Sequence, residues 1–243
     1  MEKVRLDAIV QRQTGLSPTQ AQGLIYAGRV YSVGGEKLDK PGSRFPVDTA
    51  VVVKEGPRYV SRGGEKLEAA LREFQIDVRG VVAIDVGAST GGFTDCLLQH
   101  GATRVFAVDV GYGQLAWPLR QDPRVAVFER TNIRRLTPEM LPEPPAFFTV
   151  DCSFISLRAV LPPLLTLLKE HASGVALIKP QFEAGRNEVE KGGVVRDGGV
   201  HEQVVEEILG VARELGFARN DVIPSPLLGP AGNREFLAYL RQG

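Results

Sequence analysis

The sequence DVGASTGGFTDCLLQHGATRVFAVDV, residues 85 to 110, joins an apolar strand to a helix through a glycine-rich turn and then enters a second apolar strand. A strand, a tight turn, a helix and a further strand within so short a stretch predict a βαβ unit of a parallel sheet. Ligands of such sheets bind beyond the carboxyl ends of the strands, where this turn would lie. The stretch therefore predicts both the class of fold and the position of a binding site.

Apolar strands and helices alternate through the rest of the chain from residue 81. The strand-like runs VVAIDV, RVFAVDV, RVAVF, AFFTVD and GVALIKP are almost continuously apolar, which is typical of a parallel sheet covered on both faces. The last two runs, FARNDVIPSPL and NREFLAYLRQ, have too little sequence between them for a crossover helix. We expect these two runs to pair antiparallel at one edge of the sheet.

The beginning of the chain has a different pattern. RLDAIVQRQ and SPTQAQGLIYAG carry apolar residues at helical spacing, with Ser17 as a helix cap and Pro18 as the first helical residue. Short strand-like runs, VYSV and AVVVK, follow and are interrupted by turn residues. We expect a small α+β module over residues 1–57, a linker over 58–63 and a larger domain over 64–243.

The composition excludes several classes of protein. The 243 residues include 29 Lys or Arg and 29 Asp or Glu, so the net charge is zero and argues neither for nor against a polyanionic partner. No apolar run reaches the roughly 18 residues that cross a bilayer, and the first residues lack a secretory signal. Cys96 and Cys152 are the only cysteines, and no cysteine–histidine cluster has the spacing of a metal site. We expect a reduced, cytoplasmic protein with no metal and no membrane contact.

The glycine-rich turn reads D-x-G-x-x-x-G-G rather than the dinucleotide pattern G-x-G-x-x-G. Its leading acid, Asp85, is unfavourable beside a pyrophosphate but suits the positive sulfonium and amino group of S-adenosylmethionine. Asp109 ends the next strand and is placed to bind the ribose hydroxyls, while Asn132 can reach the adenine. The competing interpretation is that the glycines only form a tight turn. The residues predicted to bind S-adenosylmethionine are Asp85, Gly87, Ser89, Thr90, Gly91, Gly92, Phe93, Asp109, Val110, Asn132 and Asp151.

The methyl acceptor is predicted by elimination. Enzymes that methylate exocyclic amines usually carry [DN]-P-P-[YF] after the fourth strand, where this chain reads DCSF at residues 151 to 154. Carbon-5 methylation of pyrimidines needs a cysteine nucleophile, but Cys152 lacks the usual preceding proline and is interpreted as a packed residue. An oxygen acceptor remains, and it needs a base. The charged residues expected at the cofactor side of the sheet are Lys66, Asp151, Lys179 and Glu235, with a solvated surface charge as the alternative for each.

Six motifs in chain order closely resemble the TlyA family: YVSRGGEKL, DVGASTGGFTD, VDVGYGQL, DCSFISL, LIKPQFE and GGVVRD. Proteins of this family are often labelled haemolysin A and act as rRNA (cytidine-2'-O)-methyltransferases. Their catalytic domain is similar to FtsJ-type ribose methyltransferases, which carry a Lys-Asp-Lys-Glu tetrad. The resemblance covers nearly the whole chain. It implies an α/β fold of the Rossmann-like class I methyltransferase type, with a mostly parallel seven-stranded sheet, S-adenosyl-L-methionine as cofactor and ribosomal RNA or ribosomal subunits as partner.

The family tetrad corresponds by motif to Lys66, Asp151, Lys179 and Glu235. The resemblance implies that Lys179 removes the proton of the 2'-hydroxyl, that Asp151 and Lys66 steer the hydroxyl and tune this lysine, and that Glu235 holds the network. Within the family the choice of ribosomal subunit goes with terminal extensions, so the compact ends of this chain favour the large subunit. A monomer is expected.

The N-terminal module is similar to the RNA-binding module named after ribosomal protein S-four, through RLDAIV, LIYAGRVYSV and KLDKPG. Its second helix lacks the usual basic residues before Arg29, so we expect modest RNA affinity. The glycine-rich loop from Gln181 to His201 is expected to grip RNA beside a nucleotide turned out of its helix. The RNA-binding candidates are Arg5, Arg29, Lys37, Arg58 and Arg62, with Arg186, Lys191 and Arg196 in the loop; ordinary surface charge is the alternative for each.

Two other functions compete with this interpretation. A membrane-active haemolysin is suggested by the older family label, but the sequence has no spanning segment and no strongly basic amphipathic helix. An RNA-binding protein with a decayed catalytic site is the other. The intact Lys-Asp-Lys-Glu set and the complete glycine-rich turn argue against it.

Overall fold

The computed structural model describes residues 2 to 185 and 187 to 243. The chain divides into two compact units, Met1–Pro57 and Arg58–Gly243. Residues 58 to 63, predicted as a linker, lie in the second unit, where Tyr59 is buried and a helix begins at Gly63. This stretch packs with the larger unit because the aromatic ring of Tyr59 joins that unit's apolar core.

The first unit contains two helices and two small antiparallel sheets. Ser17 caps the second helix as predicted: its hydroxyl accepts from the backbone N–H of Gln20, and the Gln20 side chain accepts from the backbone N–H of Ser17. Such a capping box satisfies two amides that the helix itself leaves unpaired. Strand β1 pairs with β3, and β2 pairs with β4. The elements are β1 (Lys3–Arg5), α1 (Leu6–Thr14), α2 (Pro18–Tyr26), β2 (Val30–Ser32), β3 (Arg44–Pro46) and β4 (Val51–Val53).

The second unit is built on one seven-stranded sheet in the order β10-β11-β9-β8-β5-β6-β7. Strand β11 runs antiparallel to both of its neighbours, whereas β7, β6, β5, β8 and β9 pair in parallel. The predicted α/β fold and the antiparallel pair at the edge are confirmed. The strands are β5 (Val82–Val86), β6 (Arg104–Val108), β7 (Val125–Phe128), β8 (Phe147–Val150), β9 (Ser173–Ile178), β10 (Phe217–Pro224) and β11 (Phe236–Gln242).

Helices cover both faces of this sheet, as the continuously apolar strands predict. Successive side chains of β5 point to opposite faces, so Ala83 and Ile84 belong to two different apolar cores. The core on the Ile84 side includes α6 and α8, and the core on the Ala83 side includes α3 and α4. The helices are α3 (Gly63–Glu73), α4 (Gly92–Gln99), α5 (Trp117–Arg120), α6 (Leu157–Leu165), α7 (Pro180–Glu183) and α8 (Gly198–Glu214).

Candidate active site

Two predicted catalytic residues meet because their strands are neighbours in the sheet. Asp151 follows β8, and Lys179 follows β9, which pairs with β8 in parallel. The Lys179 Nζ lies 2.6 Å from Asp151 Oδ1 and donates to the Ser153 hydroxyl at 3.1 Å. The Lys179 side chain is only 9% exposed. The Lys179 amine is therefore mostly buried and is held by a carboxylate and a hydroxyl at the carboxyl edge of the sheet.

The other two predicted catalytic residues form a second buried pair. Lys66, on α3, places its Nζ 2.6 Å from Oε2 of Glu235, which immediately precedes β11. The Glu235 side chain is fully buried and that of Lys66 is 12% exposed. Gly229 allows this arrangement, because a Cβ atom there would lie 2.1 Å from Glu235 Oε1.

All four residues line one cavity of about 300 Å³. The cavity is also lined by Ser61 and Arg62, which directly precede α3, and by Leu228 from the segment before β11. Of the predicted cofactor residues, Gly87, Ser89, Thr90, Gly92, Phe93 and Asp151 contribute to its wall. The predicted tetrad is thus brought together from four separate parts of the chain.

A second cavity of about 360 Å³ lies beside the first, since Gly87, Ser89, Asp151 and Ser153 line both. Its wall contains Asp109 and Asn132, which were predicted to bind the ribose and the adenine, and Val110, which was predicted to bind the cofactor. Apolar side chains, among them Ile133 and Ile155, form much of the remainder. A mostly apolar cleft with a few polar groups is the usual form of a cofactor site.

Asp109 shapes the glycine-rich loop, which lines both cavities. Its Oδ2 accepts from the backbone N–H of Ser89 at 2.7 Å, and its Oδ1 accepts from that of Gly111 at 2.6 Å. Each carboxylate oxygen can accept more than one hydrogen bond. Asp109 can therefore hold the loop and still accept from the hydroxyls of a bound ribose.

Gly87 permits a close approach between the loops that follow β5 and β8. Its φ is +85°, and a Cβ atom at this position would lie 2.6 Å from the carbonyl oxygen of Asp151. Gly91, also predicted to bind the cofactor, lies between two residues that line the first cavity but does not line either cavity itself. A Cβ atom at Gly91 would lie 2.3 Å from Leu119, so this glycine serves the packing of the helix start.

Asp85 also lies outside both cavities, contrary to its predicted contact with the sulfonium and amino group. Its carboxylate is fully buried and accepts from the hydroxyls of Thr94 at 2.7 Å and Thr149 at 2.8 Å. Burial raises the pKa of Asp85 to about 6, and the two hydroxyls oppose this shift. Asp85 ties α4 and β8 to β5 beneath the glycine-rich loop, so it supports the loop from inside the protein.

Cys152 is a packed residue, as interpreted from the sequence. Its thiol lies 3.6 Å from the carbonyl oxygen of Val86. Burial raises the pKa of Cys152 to about 12. A thiol that resists ionisation is a poor nucleophile, so the structure gives no support to carbon-5 methylation through this cysteine.

Ser153, Phe154 and Ser61 line the cavities although the sequence analysis assigned them no role. Phe154 is 90% exposed with a φ of +63°, and its ring centroid lies 5.1 Å from that of Phe182. Position in the DCSF motif was the available signal for Ser153 and Phe154. The orientation of these two side chains depends on the backbone conformation after β8, which the sequence pattern does not predict.

The RNA-binding candidates of the second unit differ in their surroundings. Arg62 is exposed and lines the first cavity. Arg58 is ion-paired with Glu68, and Arg196 is ion-paired with Glu190 at 2.8 Å. The remaining two candidates are Lys191, which is exposed, and Arg186, which lies outside the described residues.

The candidates of the first unit lie on that unit's surface. Arg5 is ion-paired with Asp7 at 2.6 Å, and Arg29 donates to the carbonyl oxygen of Lys54 at 2.9 Å. Lys37 is exposed. Arg5 and Arg29 therefore already have partners within the protein, which a phosphate would have to share or replace.

Comparison with known proteins places this site in a family. Residues 59–242 match the model of the FtsJ-like methyltransferases. The 16S/23S rRNA (cytidine-2'-O)-methyltransferase TlyA of Mycobacterium tuberculosis is 47% identical, over 98% of this chain and 90% of the relative. Hemolysin A of Brachyspira hyodysenteriae is 41% identical, over 97% of this chain and 99% of the relative. A solved structure from Streptococcus thermophilus, described as a candidate hemolysin, superimposes with a TM-score of 0.76 at 45% identity, covering 100% of this chain and 89% of that one.

Proposed function

The chain belongs to the FtsJ-like methyltransferase family, and from this premise we propose that it methylates the 2'-oxygen of cytidine in ribosomal RNA. The observation that carries the proposal is the convergence of Lys66, Asp151, Lys179 and Glu235 on one cavity beside a cleft of nucleoside size. The Mycobacterium tuberculosis relative is named for this reaction. The enzyme is a methyltransferase, and its substrate is assigned here by its site and its relatives together.

S-adenosylmethionine, when bound, supplies the electrophilic methyl group. The second cavity fits its nucleoside, because Asp109 offers carboxylate oxygens for ribose hydroxyls and the walls around Asn132 are apolar. Gly87 and Ser89 line both cavities, so they would lie beside the part of the cofactor that reaches the tetrad. Asp85 and Gly91 act indirectly in this assignment, by supporting the loop.

The tetrad positions the ribose hydroxyl and receives its proton. We assign to Lys179, as the neutral amine, the removal of the 2'-hydroxyl proton, with Asp151 accepting from the resulting ammonium group. The ammonium group of Lys66 would stabilise the negative charge that develops on the attacking oxygen. Glu235 holds Lys66 in place across the 2.6 Å ion pair.

The RNA is proposed to reach this site with its target nucleotide turned out of the helix. Arg62, exposed at the wall of the first cavity, is suited to a phosphate beside the target ribose. Phe154, exposed at the second cavity, offers an aromatic face at the entrance. Lys191 and Arg196 are assigned to gripping the flanking RNA.

The proposal also assigns a function to each of the two units of the chain. Residues 1–57 are assigned to RNA binding and residues 64–243 to methyl transfer, with residues 58–63 packed into the second unit. A cytoplasmic monomer acting on ribosomal subunits completes the assignment.

A membrane-active haemolysin is the second candidate function, because one relative is named Hemolysin A. Among residues 2–185 and 187–243, no helix is both long and apolar enough to cross a membrane. The two functions are separated by assaying lysis of red cells and methyl transfer on the same preparation. Lysis without methyl incorporation would favour the membrane function.

The deciding experiment maps the methyl group. Ribosomal subunits from a strain that lacks the gene are incubated with the protein and labelled S-adenosylmethionine, and the modified nucleotide is identified by mass spectrometry. We expect label on the 2'-oxygen of a cytidine. Label on a base, or no incorporation into either subunit, would contradict the proposed function.

A further inference from the structure

Glu183, on the short helix α7 that follows Lys179, lies outside both cavities but is half-buried. Its Oε2 accepts from the Ser156 hydroxyl at 2.5 Å, and its Oε1 accepts from the backbone N–H of Leu157 at 2.8 Å. Burial raises the pKa of Glu183, and the two hydrogen bonds oppose the shift. A carboxylate removed from water in this way is held by its specific partners rather than by solvent.

These partners lie where the loop after β8 becomes helix α6. Ser156 is the N-cap of α6, and its hydroxyl accepts from the backbone N–H of Arg158 at 3.1 Å. Glu183 therefore caps the same helix from a different part of the chain, where a negative charge is also favoured by the helix dipole. Its position fixes one end of the segment 151–156.

The other end of this segment is fixed by the same part of the chain. Lys179 contacts Asp151 at 2.6 Å and Ser153 at 3.1 Å. Phe154, between the two fixed ends, has a φ of +63°, a conformation that persists only where its surroundings hold it. Residues 179–183 therefore form polar contacts with the segment 151–156 at both of its ends.

We propose that Glu183 is a positioning residue for methyl transfer: through Ser156 and Leu157 it holds the segment 151–156, so that Asp151 and Ser153 face Lys179. The role rests on the proposed function of the tetrad. Glu183 touches neither cavity, so it acts only through the segment. A helix cap with no influence on the site would affect stability alone.

The test compares Glu183→Ala with Glu183→Gln and Ser156→Ala in the full chain. Glu183→Ala removes both acceptors, so we expect kcat for rRNA methylation to fall about 10- to 100-fold, because small displacements of catalytic groups are costly. Glu183→Gln keeps an acceptor for the Leu157 amide and should retain more of the rate. Combining Ser156→Ala with Glu183→Ala should cost little more than Glu183→Ala alone, since the two act as a unit.

Glu207→Ala is the matched control. Glu207 contacts the same first turn of α6, through an ion pair with Arg158 at 2.5 Å, but both side chains are more than 40% exposed. Among the described residues, neither side chain forms a hydrogen bond or ion pair with the segment 151–156. We expect its kcat to equal that of the wild type. All rates are measured well below the melting temperature of each variant, so that a loss of folded protein is not counted as a loss of rate.

Hydrogen exchange at residues 151–157 gives a readout independent of activity. We expect faster exchange in Glu183→Ala than in Glu207→Ala. A normal kcat for Glu183→Ala would overturn the positioning role, whether or not hydrogen exchange is faster. An unchanged exchange rate at residues 151–157 would show that Glu183 does not act by holding this segment. If the wild-type chain transfers no methyl group to rRNA, the proposed function fails, and the exchange data alone decide whether Glu183 holds the segment.

Discussion

The charged side chains of the candidate site occur as two close pairs, Lys66 with Glu235 and Lys179 with Asp151. Each pair is largely removed from water, so neither partner can be removed without leaving an uncompensated charge. This arrangement concentrates charge where a hydroxyl has to be deprotonated and keeps it in a fixed geometry. Single substitutions of Lys66, Lys179 or Glu235, which do not line the nucleoside cavity, should therefore affect rate more than cofactor binding.

Lys179→Ala is expected to lower kcat for rRNA methylation by about 10²- to 10⁴-fold, the usual contribution of a proton-transfer group. Binding of S-adenosylmethionine, measured by titration calorimetry, should change little, because the nucleoside cleft is intact. Lys169→Ala, at an exposed lysine, is the control and should have the wild-type rate. A normal rate for Lys179→Ala would remove this lysine from the role of base.

Asp85 makes stability depend on pH. Its pKa is about 6 in the folded protein, above the usual 3.8, so the folded state holds the proton more tightly than the unfolded chain. Stability from this group is therefore present below about pH 4 and is lost as the pH rises to about 6. The free energy of unfolding falls by about 3 kcal/mol in total, because each unit of difference between the folded and unfolded pKa corresponds to about 1.36 kcal/mol.

Asp85→Asn removes this titration, and its amide oxygen can accept from one threonine hydroxyl while its amide NH2 donates to the other. Urea unfolding at a series of pH values should show the wild type losing stability relative to Asp85→Asn between about pH 4 and pH 6. Unfolding free energies that stay parallel across this range would show that Asp85 is not held protonated by burial.

The loops after β5 and β8 approach each other so closely that only glycine fits at position 87. An alanine there would have to move the Asp151 carbonyl, and its φ of +85° adds backbone strain. We expect Gly87→Ala to lower the free energy of unfolding by about 1–3 kcal/mol and to weaken S-adenosylmethionine binding at least tenfold. Urea unfolding and titration calorimetry measure the two effects.

The control variant Gly80→Ala distinguishes the effect of backbone strain from the effect of a steric clash with the Asp151 carbonyl. Gly80 also has a positive φ, +74°, but a Cβ atom there would meet nothing within 4 Å. This control should lose stability through strain and bind the cofactor normally. Equal loss of cofactor affinity in both variants would mean that the close approach at Gly87 has no special importance.

The sequence predicts the strands and helices that carry a strong pattern and misses the short ones. Apolar runs and the final antiparallel pair are read correctly because burial on both faces and the lack of a crossover leave few alternatives. Strands β1 and β3 and helix α7 are too short to show a period. Each is determined by contacts with distant parts of the chain.

The amino-acid sequence alone does not predict in which direction the side chains of the site point. Motif order identifies Lys66 and Glu235, but their contact across 169 positions follows from β11 entering the sheet beside β9. Asp85 and Gly91 belong to the glycine-rich motif, yet neither lines a cavity, and the Asp85 carboxylate accepts from two threonine hydroxyls instead. Membership of the motif therefore does not by itself place a residue at the wall of a cavity.

The zero net charge of the chain is divided unequally between the two units. Residues 1–57 carry eight Lys or Arg against six Asp or Glu, and the remaining residues carry 21 against 23. An excess of positive charge favours a polyanionic partner and makes its binding sensitive to salt. The first unit is thus the better candidate for general RNA affinity, although the excess is small.

Arg29→Glu combined with Lys37→Glu is expected to weaken binding to ribosomal RNA about tenfold near 100 mM salt and to flatten the salt dependence. Cofactor binding should be unchanged. The control, Arg72→Glu with Arg79→Glu, changes the total charge equally on exposed side chains of the second unit. Filter binding at several salt concentrations compares them, and equal affinity for both double variants would exclude a specific role for the first unit.

The placement of β11 has a consequence for the newly made protein. This strand is synthesised after all the others, yet it lies inside the sheet between β9 and β10 and is directly preceded by Glu235. Until Glu235 and β11 have been synthesised and are free to fold, β10 has no neighbouring strand and Lys66 lacks its counter-charge, Glu235. A chain that terminates before residue 235 should then lack both this strand and the counter-charge of Lys66, and activity can begin only once translation has passed this strand.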